Sequence, residues 1–330
     1  MDLSTRYLGF QLKNPFVPGA SPLVDDLDTV KRLEDAGAAA IVMHSLFEEQ
    51  ITAEQMATFK ATESHAESTA EARSFLPSPE EFRLGPEEYL EHLRKVKAAV
   101  SVPVIASLNG TTLGGWLEHA QLMEKAGADA LELNVYSLAT DPESTGKALE
   151  DRTVEILKVV KQKLKIPVAV KLSPFYSSMA NFATEIEAAG ADGLVVFNRF
   201  YQPDIDVESL DVSRSLHLSH SNELPLRLRW LAILSPRVKA SLAVTGGVHT
   251  AVDAIKAVMT GAHAVQVVSA LLQRGPQYLK TLIDETTAWM EKHEYESLEQ
   301  MRGSLNLAKC PDAGAYERAN YMLMLQSWRG

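Results

Sequence analysis

Apolar and polar positions along this chain fall into a repeating phrase. Ala36-Gly37-Ala38, Ala126-Gly127-Ala128, Ala189-Gly190-Ala191 and the near match Thr260-Gly261-Ala262 each close a helix-like stretch. Each runs within one to three residues into a short apolar segment: Ala40-Ile41-Val42-Met43, Leu131-Glu132-Leu133, Leu194-Val195-Val196-Phe197 and Ala264-Val265-Gln266-Val267-Val268. Glycine at such a place takes the left-handed conformation that caps a helix C-terminus, and the β-rich run after it reads as a buried parallel strand. Two more strands enter through a proline, Ser101-Val102-Pro103-Val104-Ile105 and Lys165-Ile166-Pro167-Val168-Ala169-Val170. There the proline stops the preceding helix at the strand's edge. Pro15-Phe16-Val17 and Leu242-Ala243-Val244 bring the strands to eight. Eight alternating units predict an α/β protein of the (β/α)₈ TIM-barrel type.

The segments that depart from a bare barrel are as informative. Leu3 to Leu12 reads as an N-terminal hairpin that plugs the barrel bottom, turning near Gly9, and the first helix runs from about Leu27 to Ala36. The second barrel strand is expected to end at Met43-His44. Ser45 to Gly85, rich in glutamate and containing Phe75-Leu76-Pro77-Ser78-Pro79, is too long for a barrel helix alone. A long segment after a barrel strand lies over the C-terminal face, so it is a candidate lid, with a solvated acidic loop or an added helix pair as the alternatives. Arg199 to Glu223, with Tyr201-Gln202-Pro203-Asp204-Ile205-Asp206, is a second long connection on that face. Gly275 to His293 reads as the closing amphipathic helix. Residues 1–305 form the expected barrel domain and 306–330 a C-terminal tail. Tyr316, Tyr321, Met322, Met324 and Trp328 are too apolar for a disordered end, so the tail is expected to pack on the barrel or on a second subunit. A homodimer is the expected assembly.

Composition narrows the partners. The chain has 330 residues, 46% hydrophobic and 23% charged, enough to bury one full barrel core with added segments. A net charge of −11 without a lysine or arginine cluster argues against nucleic acid or an anionic membrane, leaving small molecules as the default ligand. No apolar run reaches the roughly 18 residues of a membrane span and Met1-Asp2-Leu3-Ser4-Thr5-Arg6 lacks a signal-peptide pattern, so a cytoplasmic location is expected. The single cysteine, Cys310, reads as an ordinary thiol; it excludes an intrachain disulfide, a cysteine-rich zinc site and a self-contained iron–sulfur cluster. No metal is expected.

Strands buried on both faces leave few places for polar residues, and those at the strand ends converge. They are Ala20-Ser21 after strand one, Asn109 after three, Asn134 and Ser137 after four, Lys171 ending five, Asn198 after six, Gly246-Gly247 after seven and Ser269 after eight. One lysine with several amides and hydroxyls around a barrel mouth suits a flat heterocycle rich in donors and acceptors. Gly246-Gly247, leading into a helix from Thr250, lets backbone N–H groups and a helix dipole reach a phosphate, and Ser269-Ala270 completes that cradle. Lys171 inside a barrel mouth is costly unless it meets an anion or electron-rich atoms. Beside a flavin's pyrimidine edge it would stabilise charge developing on hydride uptake; a Schiff-base lysine and a structural ion pair are the alternatives.

The opening Leu8-Gly9-Phe10-Gln11-Leu12-Lys13-Asn14-Pro15-Phe16 with Ala20-Ser21 resembles that of dihydroorotate dehydrogenases. Glu132-Leu133-Asn134, Val170-Lys171-Leu172-Ser173-Pro174, Asn198 and the stretch from Thr245-Gly246-Gly247 through Ala270-Leu271 extend the resemblance in order over most of residues 3 to 305. The resemblance implies a barrel holding FMN, with its phosphate at Gly246, Gly247 and Ser269 and its ring system against Ala20, Ser21, Asn134 and Lys171. It also implies a base on the loop after strand four, cysteine in soluble members and serine in membrane-associated ones; here the matching residue is Ser137. Serine is a poor base, so it would pass the proton onward through water or a neighbour.

Substrate-side positions depart from that pattern. The family's lysine after strand two, its asparagine-rich loop and an asparagine two residues beyond the base are here His44, the Phe75 to Pro79 region and Ala139. Each lost charge-assisted contact to a buried carboxylate costs about 1.5–3 kcal/mol. The reading is therefore an FMN-dependent oxidoreductase that acts on dihydroorotate or a similar cyclic amide. His44, Asn134 and Asn198 would face the substrate, and electrons would leave to a soluble acceptor or a partner protein. The alternatives are the same chemistry on another substrate, or a phosphate- or flavin-binding barrel without catalysis.

Overall fold

The computed structural model of the chain describes residues 1–48, 86–110, 112–135, 138–199, 202–213, 217–317 and 321–327. The first element is the expected hairpin. Strands β1 (Thr5–Tyr7) and β2 (Phe10–Leu12) pair antiparallel around Leu8-Gly9, whose φ values of 50° and 84° are the left-handed pair a two-residue turn requires.

Eight parallel strands follow, separated by helices. They are β3 (Phe16–Pro18), β4 (Ile41–Phe47), β5 (Val104–Asn109), β6 (Ala130–Asn134), β7 (Val168–Leu172) and β8 (Gly193–Val196). A two-stranded excursion of β9 (Asp204–Asp206) and β10 (Asp211–Ser213) precedes the last two, β11 (Ser241–Thr245) and β12 (Ala264–Val267). Helices α1 (Leu27–Asp35), α2 (Pro86–Ala99), α3 (Leu113–Lys125), α4 (Gly146–Lys163), α5 (Met179–Ala188), α6 (Leu224–Leu234) and α7 (Ala251–Thr260) alternate with them. After β12 come α8 (Ser269–Arg274), α9 (Tyr278–Lys292) and α10 (Leu298–Met301). The hydrogen-bonded order is β3-β12-β11-β8-β7-β6-β5-β4, and the N–H of Ala39, just before β4, donates to Phe16 O of β3 at 3.0 Å. The sheet is thus a nearly closed (β/α)₈ barrel.

The repeated phrase forms a repeated clasp. Gly37, Gly127, Gly190 and Gly261 all have φ between 100° and 123°, ending α1, α3, α5 and α7. Two residues later the chain grips the preceding strand. Asp129 N–H bonds Val104 O (2.9 Å) while its carboxylate accepts from Val104 N–H (2.7 Å) and Lys97 Nζ (2.6 Å). Asp192 repeats this on Val168, with Lys161 as its cation. His263 does the same on Leu242: its N–H donates to Leu242 O (2.7 Å) and its Nδ1 accepts from Leu242 N–H (3.0 Å). Each clasp pins the register of two neighbouring strands.

With register pinned, side chains alternate between two cores. Outward residues such as Leu131, Leu133, Val168, Val170, Leu242 and Val265 pack against the apolar faces of the helices. Inward residues Val17, Ala40, Val42, Ile105, Ala130, Ala169, Val195, Ala243 and Ala264 form a small-residue floor into which Tyr7, Leu8 and Leu12 of the hairpin insert. Leu8 Cδ2 lies so close to Gly193 that a Cβ there would approach it to 2.6 Å. The hairpin is therefore the plug of the barrel bottom.

Strand β4 differs from expectation. It runs to Phe47 instead of ending at Met43-His44, with a one-residue bulge between Val42 and Ser45. Polar residues do not stop it because Ser45 Oγ bonds Ser107 Oγ of β5 at 2.7 Å. Residues 49–85, which hold most of the candidate lid, lie outside the described residues. The connection after β8 carries the β9–β10 hairpin, whose Ile205, Val207, Leu210 and Val212 are exposed. Just past α10, Gly303, Leu305 and Leu307 N–H groups bond Val258, Met259 and Ala232 carbonyls, and Tyr316 Oη donates to Leu305 O. Tyr321 is 65% exposed. Cys310 is a half-buried free thiol. Among the described residues no helix is long and apolar enough to cross a membrane.

Replacing Leu8 with Ala should empty part of the plug and lower stability by about 2–5 kcal/mol, read as a fall in the urea midpoint. A second expectation concerns pH. Burial, and then the Arg302 guanidinium beside it, push His263 down to about 4 from an ordinary 6.5. The folded protein keeps this ring neutral while the unfolded chain protonates it, so its contribution is complete above about 6.5 and is lost as pH falls toward about 4. The loss amounts to about 3 kcal/mol. The urea midpoint of His263→Gln should fall less over that interval than that of the wild type.

Candidate active site

Counting two residues up from the floor alanines Ala130, Ala169 and Ala264 reaches Glu132, Lys171 and Gln266, so all three side chains enter the barrel one layer above the floor. Each is buried. Lys171 Nζ donates to Glu132 Oε1 at 3.0 Å, and Gln266 Nε2 donates to Glu132 Oε2 at 2.6 Å. The carboxylate can only accept, which orients the Gln266 amide and leaves its Oε1 without a hydrogen-bond partner. That oxygen would sit 3.5 Å from a Cβ at Gly19, the residue following β3. From below, the Tyr7 hydroxyl ends unpaired in the same interior. Burial first and the Glu132 charge second push its ionisation well above the ordinary phenol range, so it stays neutral.

A further layer closes the mouth. Ser45 Oγ meets Ser107 Oγ, Asn134 Nδ2 donates to Ser45 Oγ (3.2 Å), and Asn198 Nδ2 donates to Asn134 Oδ1 (2.6 Å). The chain of contacts spans β4, β5, β6 and the end of β8. Asn109 is buried at the end of β5, and Ser21 is buried with an unpartnered hydroxyl beside the partly buried Ala20. His44 lies at the bulge of β4, half-buried. Its Nδ1 is 2.7 Å from Asp25 Oδ1, and its ring meets the Tyr89 ring edge-on at 5.2 Å.

The phosphate-type cradle forms at the ends of β11 and β12. Gly246 and Gly247 have φ of 83° and 82°. Ser219 Oγ accepts from Gly247 N–H (3.3 Å), donates to Ser269 Oγ (2.9 Å) and lies 3.3 Å from His249 Nε2. Two hydroxyls, a backbone N–H and an imidazole thus meet beside the N-terminus of α7, where Thr250 and Asp253 make a capping box. Burial lowers the affinity of His249 for a proton, against a smaller opposing pull from Asp253. Arg227 is buried beneath Gly246, its Nε donating to Thr245 O at 3.0 Å. The group suits a phosphate.

The structure therefore brings Ser21, Asn134, Lys171 and Asn198 to one mouth and gathers Gly247 with Ser269 at a neighbouring cradle. Ser137 lies outside the described residues. Sequence reasoning missed Glu132, Gln266, Ser107, Ser219, Arg227 and Asp25. Glu132 and Gln266 had a signal: each is a polar residue inside an apolar strand run, at the parity of an interior alanine.

An apolar barrel floor lies under a polar, charged mouth, with hydroxyls and backbone N–H groups gathered at the last two strand ends. Residues 82–290 match the dihydroorotate dehydrogenase family. A dihydroorotate dehydrogenase B (NAD(+)) catalytic subunit of Thermoplasma volcanium is 29% identical over 310 residues, covering 92% of this chain and 98% of its own. One of the same description from Methanocaldococcus jannaschii is 27% identical over 312 residues, 91% and 97% of the two chains. A putative dihydroorotate dehydrogenase A (fumarate) of Aeropyrum pernix is 30% identical over 211 residues, 62% and 67%. The chain belongs to the dihydroorotate dehydrogenase family, and it is an oxidoreductase acting on a CH–CH bond.

Gly247 tests the cradle. A Cβ there would fall 2.6 Å from Leu224 N, a backbone atom, at a φ that side chains rarely adopt. Gly247→Ala should lower stability by about 1–3 kcal/mol in urea titration.

Proposed function

We propose that this protein is an FMN-dependent dehydrogenase that oxidises dihydroorotate, or a closely similar cyclic amide. The observation that carries the reading is the pairing of a buried Lys171 on β7 with the Gly247, Ser219 and Ser269 cradle at the ends of β11 and β12, across β8 on the same face of the barrel. Such a site suits an electron-rich ring joined to a phosphate. The unpartnered Gln266 Oε1 and Ser21 Oγ support it, because buried polar atoms without partners are costly unless a ligand meets them. FMN, when bound, supplies the hydride acceptor.

The chain's own residues then have distinct tasks. Gly246, Gly247, Ser219 and Ser269 hold the phosphate, and Ala20, Ser21, Asn134 and Lys171 line the ring system. Lys171 supplies positive charge where negative charge develops, in an interior that excludes water. Asn134 and Asn198, already bonded to one another, present amide groups suited to a ring carrying N–H and C=O groups. His44 replaces the lysine that the family resemblance leads one to expect. Its imidazole, held by Asp25, is a narrower donor than a lysine ammonium, which favours a related cyclic amide as the second substrate reading. Ser137, three residues past Asn134, accepts the substrate proton and passes it onward. Electrons leave to a small soluble acceptor or a partner protein, and the working assembly is a homodimer in the cytoplasm.

The test is anaerobic. Wild type and Ser137→Ala are mixed with dihydroorotate and the bleaching of bound flavin is followed. The wild type should bleach, and the variant should bleach roughly 10²–10⁴ times more slowly, the contribution of a positioned acid or base. Equal rates would remove the serine from the reaction. A yellow wild type that is bleached by chemical reductant and not by dihydroorotate would transfer the proposal to the second substrate.

A further inference from the structure

The ion pair inside the barrel holds more than packing requires. Glu132 is fully buried and Lys171 is 7% exposed, and each would be costly alone in such a place. An apolar pair would fill the layer at lower cost, as the alanines beneath it do. The layer instead carries the pair, an amide bound to the pair's second oxygen, and two unpaired polar atoms, Gln266 Oε1 and Tyr7 Oη. Among the described residues Lys171 Nζ has no acceptor other than Glu132. Two of its three protons are thus available to a ligand, while its charge is balanced from behind by a carboxylate that Gln266 holds in place.

We propose that Glu132 is a positioning residue that sets the effective charge with which Lys171 meets the bound flavin, and thereby sets the flavin's reduction potential. The inference rests on the FMN reading above. Uptake of two electrons and one proton adds one net negative charge to the ring system. A lone ammonium beside the ring would favour that charged form strongly; an ammonium 3.0 Å from a carboxylate favours it less, because the carboxylate behind it offsets part of its field at the ring. Removing the carboxylate unmasks the cation, and removing the cation leaves an anion that opposes reduction. Removing both restores neutrality. The pair therefore works as a device for holding the potential at an intermediate value.

The experiment measures the two-electron midpoint potential of the FMN-loaded protein by equilibration with a reference dye. Four proteins are compared: wild type, Lys171→Met, Glu132→Gln and the double variant. Lys171→Met should lie lowest, Glu132→Gln highest, and the double variant between them. Each single change should alter the ratio of affinities for reduced and oxidised FMN about tenfold, about 30 mV for a two-electron couple. Should Glu132→Gln alone fail to fold, the double variant carries the question, since replacing both members of a buried pair is commonly tolerated where removing one is not. Its potential must then exceed that of Lys171→Met. A double variant no higher than Lys171→Met, or a Glu132→Gln protein at the wild-type potential, overturns the proposal. A wild type that binds no FMN at all would instead remove the cofactor reading on which it stands, so the two failures are distinguishable.

Discussion

The interaction on which this molecule depends is the clasp that follows the helices capped by Gly127, Gly190 and Gly261. A residue just past the helix cap binds both the N–H and the C=O of the first residue in the preceding strand, as Asp129 does on Val104 and Asp192 on Val168. Slipping a strand by one residue would turn every side chain to the other face. Here it would send Glu132, Lys171 and Gln266 out among helices and bring Leu131, Val170 and Val265 inside. The clasps prevent this, two of them with charged carboxylates at the barrel's rim, where Lys97 and Lys161 remain partly hydrated.

A fixed register permits an uneven interior. The lower layer is alanine, valine and one isoleucine, and its leftover volume is filled by Tyr7, Leu8 and Leu12 from outside the barrel. Plugging the bottom with a separate hairpin frees the upper layers from the task of filling the core. Those layers are built from serines, asparagines and an ion pair, and they face the side where the long connections lie. Stability and chemistry are therefore separated along the barrel axis.

The functional reading follows from that separation. In the proposed function Lys171 meets the ligand with part of its charge offset by Glu132, and the cradle of Ser219, Ser269 and Gly247 lies across β8 at the ends of β11 and β12, so one ligand with a charged tail and a polarisable ring would satisfy both. His44 with Asp25 is one of the places where this chain departs from what its resemblance to the family implies. A bulge in β4 places His44 at that edge and turns Ser45 toward Ser107.

The sequence alone determined the eight strands, their order, the helix-capping glycines and the plugging hairpin, because these depend on local periodicity, proline and glycine geometry, and on a phrase repeated four times. It also located Ser21, Asn134, Lys171, Asn198 and Gly247, since strand ends in a barrel converge whatever the details. Only the tertiary structure decided which polar groups meet. That Lys171 is paired with Glu132, that Gln266 holds that carboxylate, and that Ser219 enters the cradle from 50 residues before Ser269 are contacts between distant segments. The extension of β4 to Phe47 was hidden for the same reason: a bulge depends on the partner strand, and Ser107 supplies the bond that lets a serine continue the sheet. Local pattern records which face a residue takes, while hydrogen-bond partners across a closed barrel are set by strand register and stagger, which no short stretch of sequence contains.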